Sequence, residues 1–163
     1  MKKLTIVLLM IYLCGCKGRP SLHTGLEGKP MPSFDLLLID STTHLNTSTL
    51  PAGKPIVFFY FSPGCPFCRA QMQDIVDNNK NLKDIRFILL TTGPYSELKG
   101  FYKHYDLSKY SNVTVGLDYD YFFGNYFKTS QVPYLAVYDR QRKLKQVNLG
   151  KIYSDEIKTV ALN

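Results

Sequence analysis

Cys65 and Cys68, in the run Cys65-Pro66-Phe67-Cys68, are the residues of this 163-residue chain whose type and spacing most directly suggest chemistry. Two thiols so placed can alternate between a dithiol and a disulfide. One thiolate attacks a disulfide sulfur, and its neighbour then resolves the mixed product. The run before them, Ile56-Val57-Phe58-Phe59-Tyr60-Phe61, reads as a strand covered on both faces. Pro66 to about Asn79 reads as a helix. Cys65 then sits at a helix entrance, where unpaired backbone N–H groups and the positive dipole end favour a thiolate. Pro66 suits the first helical position, where its missing N–H costs nothing. Cys68, Met72, Ile75 and Val76 recur at i, i+4, i+7 and i+8, one apolar face. Cys68 is therefore expected to point inward and resolve, and Cys65 to be exposed and attack.

Other elements must hold that strand and helix in place. Phe34 to Ile39 and Thr42 to Leu50 are expected as a starting hairpin, with Pro51 to Pro55 a turn. Arg86 to Thr92 is a second buried strand, and Ser96 to Leu107 a helix with Ser96 as its cap. Val113 to Leu117 is a short strand, and the aromatic stretch Tyr119 to Phe127 a short helix. Tyr134 to Tyr138 and Leu144 to Leu149 form a closing hairpin, before a last helix, Ser154 to Leu162, capped by Ser154. The sum is an α/β domain, a central mixed β-sheet flanked by helices with an N-terminal hairpin extension. With 45% apolar residues, a chain of this length buries roughly 70% of its unfolded surface, enough for one core. No uninterrupted apolar run reaches the ~18 residues of a membrane-spanning helix.

Phe58 to Cys68, together with Val132-Pro133 ahead of a strand, resembles the thioredoxin-like superfamily, nearest to its lipid-anchored TlpA-like or redoxin proteins. The resemblance extends over most of residues 33–163. It implies a thioredoxin-like fold and a thiol–disulfide oxidoreductase that exchanges disulfides with protein substrates and an upstream redox partner. It also implies no metal and no organic cofactor beyond the Cys65–Cys68 disulfide. Pro66, Phe67, Val132 and Pro133 become substrate-binding residues, with Pro133 cis against the cysteines; from the sequence alone Pro133 is equally a strand-initiating proline. The chain departs from the family at three places. Phe59 stands where thioredoxins carry a buried Asp. Gln71 stands where many membrane-tethered relatives carry a Glu. The usual Trp before the cysteines is absent. Losing both carboxylates removes the obvious groups that would help deprotonate Cys68. Pro66-Phe67 is closer to the dipeptides of glutaredoxin and DsbA than to that of thioredoxin, which points to a more oxidising pair.

Lys2 and Lys3, the apolar stretch Leu4 to Leu13 and then Cys14-Gly15-Cys16 read as a secretory signal. Lys17-Gly18-Arg19-Pro20 follows at once and breaks any core helix. The junction Leu13-Cys14-Gly15-Cys16 resembles the bacterial lipobox, which implies cleavage before Cys16 and a lipid on it. Residues 1–15 are then a signal peptide, 16–32 a lipidated cysteine with a flexible tether, and 33–163 the domain. The chain is expected as a monomer, exported and held on a bacterial membrane facing the periplasm or cell envelope. Cys65 and Cys68 remain as its only pair of thiols. Losing Lys2 and Lys3 takes the formal charge from +7 to +5. The densest basic run, Arg140 to Lys145, reads as a solvated turn, and no nucleic-acid partner is expected.

Three other functions compete. Zinc needs about four ligands, and His23, His44 and His104 are single and scattered. A peroxiredoxin-like peroxidase fits Ser62, three residues before Cys65, but its motif needs a proline where Phe58 stands. A non-catalytic thioredoxin-fold module would use the cysteines as a staple, though so short a loop stabilises little by closure entropy. The pairs Phe122–Tyr126 and Phe123–Phe127 are expected to pack one helix side into the core, with one or two rings left open for a substrate groove.

Overall fold

The computed structural model describes residues 22–163. The expected signal segment, Cys14 and the lipid-acceptor Cys16 lie outside the described residues. Seven strands form one mixed sheet in the order β2-β1-β5-β4-β3-β6-β7. They are β1 (Asp35–Leu38), β2 (His44–Asn46), β3 (Ile56–Tyr60), β4 (Arg86–Thr91), β5 (Val113–Leu117), β6 (Tyr134–Tyr138) and β7 (Leu144–Leu149). β3 runs parallel to β4, and β4 to β5, while the two outer hairpins pair antiparallel. The helices are α1 (Pro66–Asp77), α2 (Asn79–Leu82), α3 (Tyr95–His104), α4 (Phe122–Phe127) and α5 (Ser154–Leu162). The expected architecture, a mixed sheet flanked by helices with an N-terminal hairpin, is the one observed.

All five β3 side chains are buried, because the period-two alternation of a strand feeds two cores. Val57 and Phe59 join Phe87, Leu89, Leu135 and Val137 under α1, α3 and α5. Ile56, Phe58 and Tyr60 face the opposite side, where Phe34, Leu36, Phe123 and Phe127 cover them. The aromatic stretch therefore packs as expected: Phe123 and Phe127 are buried with ring centroids 4.6 Å apart, whereas Tyr119 and Tyr121 stay exposed. Gly116 marks the closest approach of β5 to β1, since a Cβ there would lie 2.9 Å from that of Leu36.

Several boundaries differ from the sequence reading, each for a local reason. α4 begins at Phe122, not Tyr119, because the buried Asp118 carboxylate accepts the amides of Phe122 and Phe123 at 2.9 and 2.8 Å. Burial holds that carboxyl above its usual range, with the two amide bonds pulling the other way. α3 begins at Tyr95 behind Pro94 with no side-chain cap, so Ser96 is not a cap. It ends at His104, and Asp106 then turns left-handed before a 3-10 turn, Leu107–Lys109. Ser154 is the first residue inside α5 rather than its cap. Residues 22–32, expected within the tether, instead lie along the outer edge of β7: Leu22 donates to Val147 at 3.1 Å, and Gly28 and Lys29 bond to Leu144 at 2.7 and 2.9 Å. An edge strand presents unpaired backbone groups, and this segment pairs with those of Leu144 and Val147. In the basic turn Arg140, Gln141, Lys143 and Lys145 are exposed as expected. Arg142 is not free; it donates to the carbonyls of Ser48 and Leu50. Among the described residues no helix is long and apolar enough to cross a membrane.

Candidate functional site

Both cysteines lie at the carboxyl end of β3, where the chain turns through Ser62, Pro63 and Gly64 into α1. The Cys65 amide closes that turn on the Ser62 carbonyl at 3.0 Å. Cys65 has extended backbone angles (φ −75°, ψ 121°) and occupies the cap position of α1, with Pro66 as the first helical residue. Its Sγ accepts the Cys68 amide at 3.3 Å. The side chain that caps the helix is thus the sulfur itself, in the place usually taken by a serine or aspartate oxygen. An amide donor and a helix dipole both support negative charge on an atom so placed.

The two sulfurs occupy different environments. Cys65 is half-buried and Cys68 fully buried, and neither is in a disulfide. Cys68 lies in the core with Met72, Ile75, Phe59 and Phe61, and Val76 packs at its edge as the helical spacing requires. Burial pushes the Cys68 thiol up to about 12, and the neighbouring Cys65 sulfur adds to the rise. The Cys65 thiol faces the Val132 carbonyl at 4.0 Å, and the Val132–Pro133 peptide is cis. Fold topology brings Val132 and Pro133, 67 residues on, beside Cys65 because β6 pairs antiparallel with β3, Tyr134 opposite Tyr60. Phe67 is 67% exposed, and all six residues read from the sequence as the site therefore meet at one end of the sheet. The remaining site residue, Cys16, is outside the described residues.

Phe59 and Gln71, the two positions where a carboxylate is missing, have definite structural work. Phe59 is fully buried, its ring centroid 5.3 Å from that of Phe61. Gln71 is fully buried one turn beyond Cys68, and its Oε1 accepts the Ile152 amide at 2.8 Å. Its Nε2 finds no protein partner. Asp74, a turn further, accepts the Ser154 amide and hydroxyl at 2.8 and 2.6 Å. Neither contact was readable beforehand, because helical spacing does not tell a buried Gln or Asp from a solvated one. Together they fasten the loop between β7 and α5 to the helix that carries the cysteines. Arg69 closes the other side, its Nε donating to Pro63 O at 2.9 Å.

Among the described residues no three His, Cys, Asp or Glu side chains approach closely enough to hold a metal ion. His44 faces Tyr119 at 3.3 Å, and His23 and His104 stand elsewhere. What the site offers chemically is a dithiol with one accessible sulfur and one enclosed.

The Redoxin family profile matches residues 26–161 of this chain. No protein of curated function matches it in sequence. Among solved structures, a secreted Mycobacterium tuberculosis disulfide oxidoreductase homologous to Escherichia coli DsbE is 21% identical. The match covers 77% of this chain and 92% of that one, with a TM-score of 0.65. An exposed lipoprotein thioredoxin from Streptococcus pneumoniae is 21% identical over 78% of this chain and 96% of its own, TM-score 0.63. StoA from Bacillus subtilis is 11% identical over 81% and 97%, TM-score 0.61. At such identities the likeness carries the fold, which is thioredoxin-like.

Proposed function

Because this chain belongs to the Redoxin family, we propose that it is a thiol–disulfide oxidoreductase working through Cys65 and Cys68 on protein disulfides of the cell envelope. The observation that carries this reading is the Cys65 sulfur serving as the cap of α1, with the Cys68 amide 3.3 Å away. In the reductive direction the Cys65 thiolate attacks one sulfur of a partner disulfide. That bond breaks, a Cys65–partner disulfide forms, and the first partner sulfur leaves as a thiolate and takes a proton. Cys68 then loses its proton and attacks the Cys65 sulfur. The mixed disulfide breaks, the second partner sulfur leaves, and the chain holds a Cys65–Cys68 disulfide. Two electrons have passed to the partner; the oxidative direction is the reverse. Val132, whose carbonyl faces the attacking sulfur at 4.0 Å, contacts the incoming segment together with Pro66, Phe67 and Pro133 in this reading. No metal or organic cofactor takes part in these steps.

Insulin-disulfide reduction in the presence of a dithiol reductant, beside hydrogen peroxide consumption by the same sample, tests the reaction class. Acceleration of the first with no peroxide turnover is expected. Peroxide turnover alone would assign a peroxiredoxin-like peroxidase, and inactivity in both a non-catalytic module.

The lipid on Cys16 completes the proposal and holds the chain on a bacterial membrane, facing the periplasm or cell envelope. Its support is the Leu13-Cys14-Gly15-Cys16 junction; the M. tuberculosis and S. pneumoniae proteins of the same fold are described as secreted and as an exposed lipoprotein. Labelling with a radioactive fatty acid in a bacterial host is expected to mark the native chain and not Cys16→Ser. Equal labelling of both would remove the anchor.

A further inference from the structure

A cavity of about 460 Å³ lies between the turn that enters α1 and helix α3, and none of Phe67, Val132 and Pro133 lines it. Pro63 and Gly64, the two residues before Cys65, form one wall. Arg69 forms another. Its amide donates to the Cys65 carbonyl at 3.0 Å, so it stands one helical turn, about 6 Å along the axis, from the attacking residue. Its Nε donates to the Pro63 carbonyl at 2.9 Å, which leaves the two terminal nitrogens of the guanidinium for another acceptor. Phe101 and Tyr105 supply an apolar floor, ring centroids 4.7 Å apart. The Tyr105 hydroxyl donates to the Arg69 carbonyl at 3.1 Å, and His104, edge-on to Tyr105, completes the lining. The walls are therefore held in place without a ligand.

Glu97 of α3 lines the same cavity as Arg69, yet these two described side chains form no ion pair with each other. Opposite charges left apart on one small cavity are complementary to a ligand that carries both. Gly100 lies inside α3, where glycine weakens a helix relative to alanine. Packing does not require it, because a Cβ there would meet nothing within 4 Å, and the same holds at Gly64. Both glycines line the cavity, so a side chain at either would narrow it.

We propose that this cavity binds the amino-acid end of a low-molecular-weight disulfide of the cystine type, which makes such disulfides a second substrate class for Cys65 and Cys68. Arg69 takes the α-carboxylate and Glu97 the α-ammonium. Both charges sit on the carbon two bonds from sulfur, so a ligand held one turn along α1 presents its disulfide to the Cys65 thiolate. Cys65 attacks one sulfur, the S–S bond breaks, and one cysteine leaves as a thiolate and takes a proton. Cys68 then loses its proton and attacks the Cys65 sulfur, and the second cysteine leaves as a thiolate. Two electrons pass from the dithiol of the chain to the small disulfide, and a dithiol reductant restores the chain. The inference rests on the disulfide-exchange reading and adds the two charged contacts to it.

Four disulfides test it with the reduced full chain. Cystine carries both charges, dithiodipropionate only carboxylates, cystamine only ammoniums, and bis(2-hydroxyethyl) disulfide neither. Each rate is divided by that of free dithiothreitol with the same compound, which removes differences in intrinsic reactivity. On this scale cystine is expected to exceed bis(2-hydroxyethyl) disulfide by roughly tenfold, the size of two charge-assisted contacts at an open site. Arg69→Gln lowers the cystine and dithiodipropionate ratios but not that of cystamine. Glu97→Gln lowers those of cystine and cystamine but not that of dithiodipropionate. Losing the Arg69 bond to Pro63 affects the uncharged compound equally and cancels in every ratio. Gly100→Leu, a better helix former at an open position, reduces the cystine ratio to about two or less. Lys103→Gln, an exposed cation of α3 outside the cavity, leaves it at its native value. A native cystine ratio near one, or one unchanged in Glu97→Gln or in Gly100→Leu, overturns the cavity as a zwitterion site. If the uncharged compound is still reduced, only the cavity falls; if the chain reduces none of the four, disulfide exchange falls too.

Discussion

Cys65→Ser is expected to slow turnover of a protein disulfide by about a thousandfold or more, since a serine hydroxyl neither ionises at neutral pH nor attacks sulfur. The effect is chemical rather than structural. Cys65 is half-buried at a cap position, and serine is itself a good cap, so stability should stay within about 1 kcal/mol of native. Insulin turnover beside a urea unfolding curve separates the two. Activity within a few-fold of native would show that Cys65 is not the attacking sulfur, whereas a loss matched by unfolding would leave its role unsupported.

Cys68→Ser should have the opposite appearance. Attack by Cys65 proceeds, resolution does not, and the chain accumulates as a covalent adduct with its partner. Non-reducing electrophoresis or intact-mass measurement should find most of the protein in mixed disulfide after one turnover, released by added thiol. In the native chain the resolving step has a pH dependence whose sign follows from burial. With the Cys68 thiol raised to about 12, the protonated form dominates at every working pH. The reactive thiolate fraction therefore grows about tenfold per pH unit between pH 7 and 10. Burial keeps that fraction small at pH 7, and effective molarities of ~10⁵ M or more for a held neighbour offset so small a population. No carboxylate at Phe59 or Gln71 accepts the proton, so a pH-independent resolving step would point to a base that these positions do not supply.

The sequence carried the fold and the heart of the site because both depend on short-range signals. A continuous buried strand, a proline at the first helical position and an i, i+4, i+7 face specify where Cys65 and Cys68 stand before any tertiary contact is known. Val132 and Pro133 needed the family resemblance, since nothing local brings residue 132 to residue 65. The misses share one cause. Asp118, Gln71, Asp74 and Arg142 each spend their polar atoms on a backbone group distant in sequence or past a turn, and propensity carries no record of that. The same holds for residues 22–32. Their Gly, Pro and Lys suggested a loose tether, but the open edge of β7 offers partners that composition cannot reveal.

Timed alkylation of the reduced, folded chain at pH 8 with iodoacetamide, followed by peptide mass mapping, probes the difference between the two sulfurs most directly. Cys65 should be modified at least about a hundredfold faster than Cys68, whose burial and protonation protect it until the chain unfolds in denaturant. Equal rates for the two thiols, or modification of Cys68 first, would contradict the division of labour between an exposed sulfur at the helix mouth and a protonated one enclosed behind it.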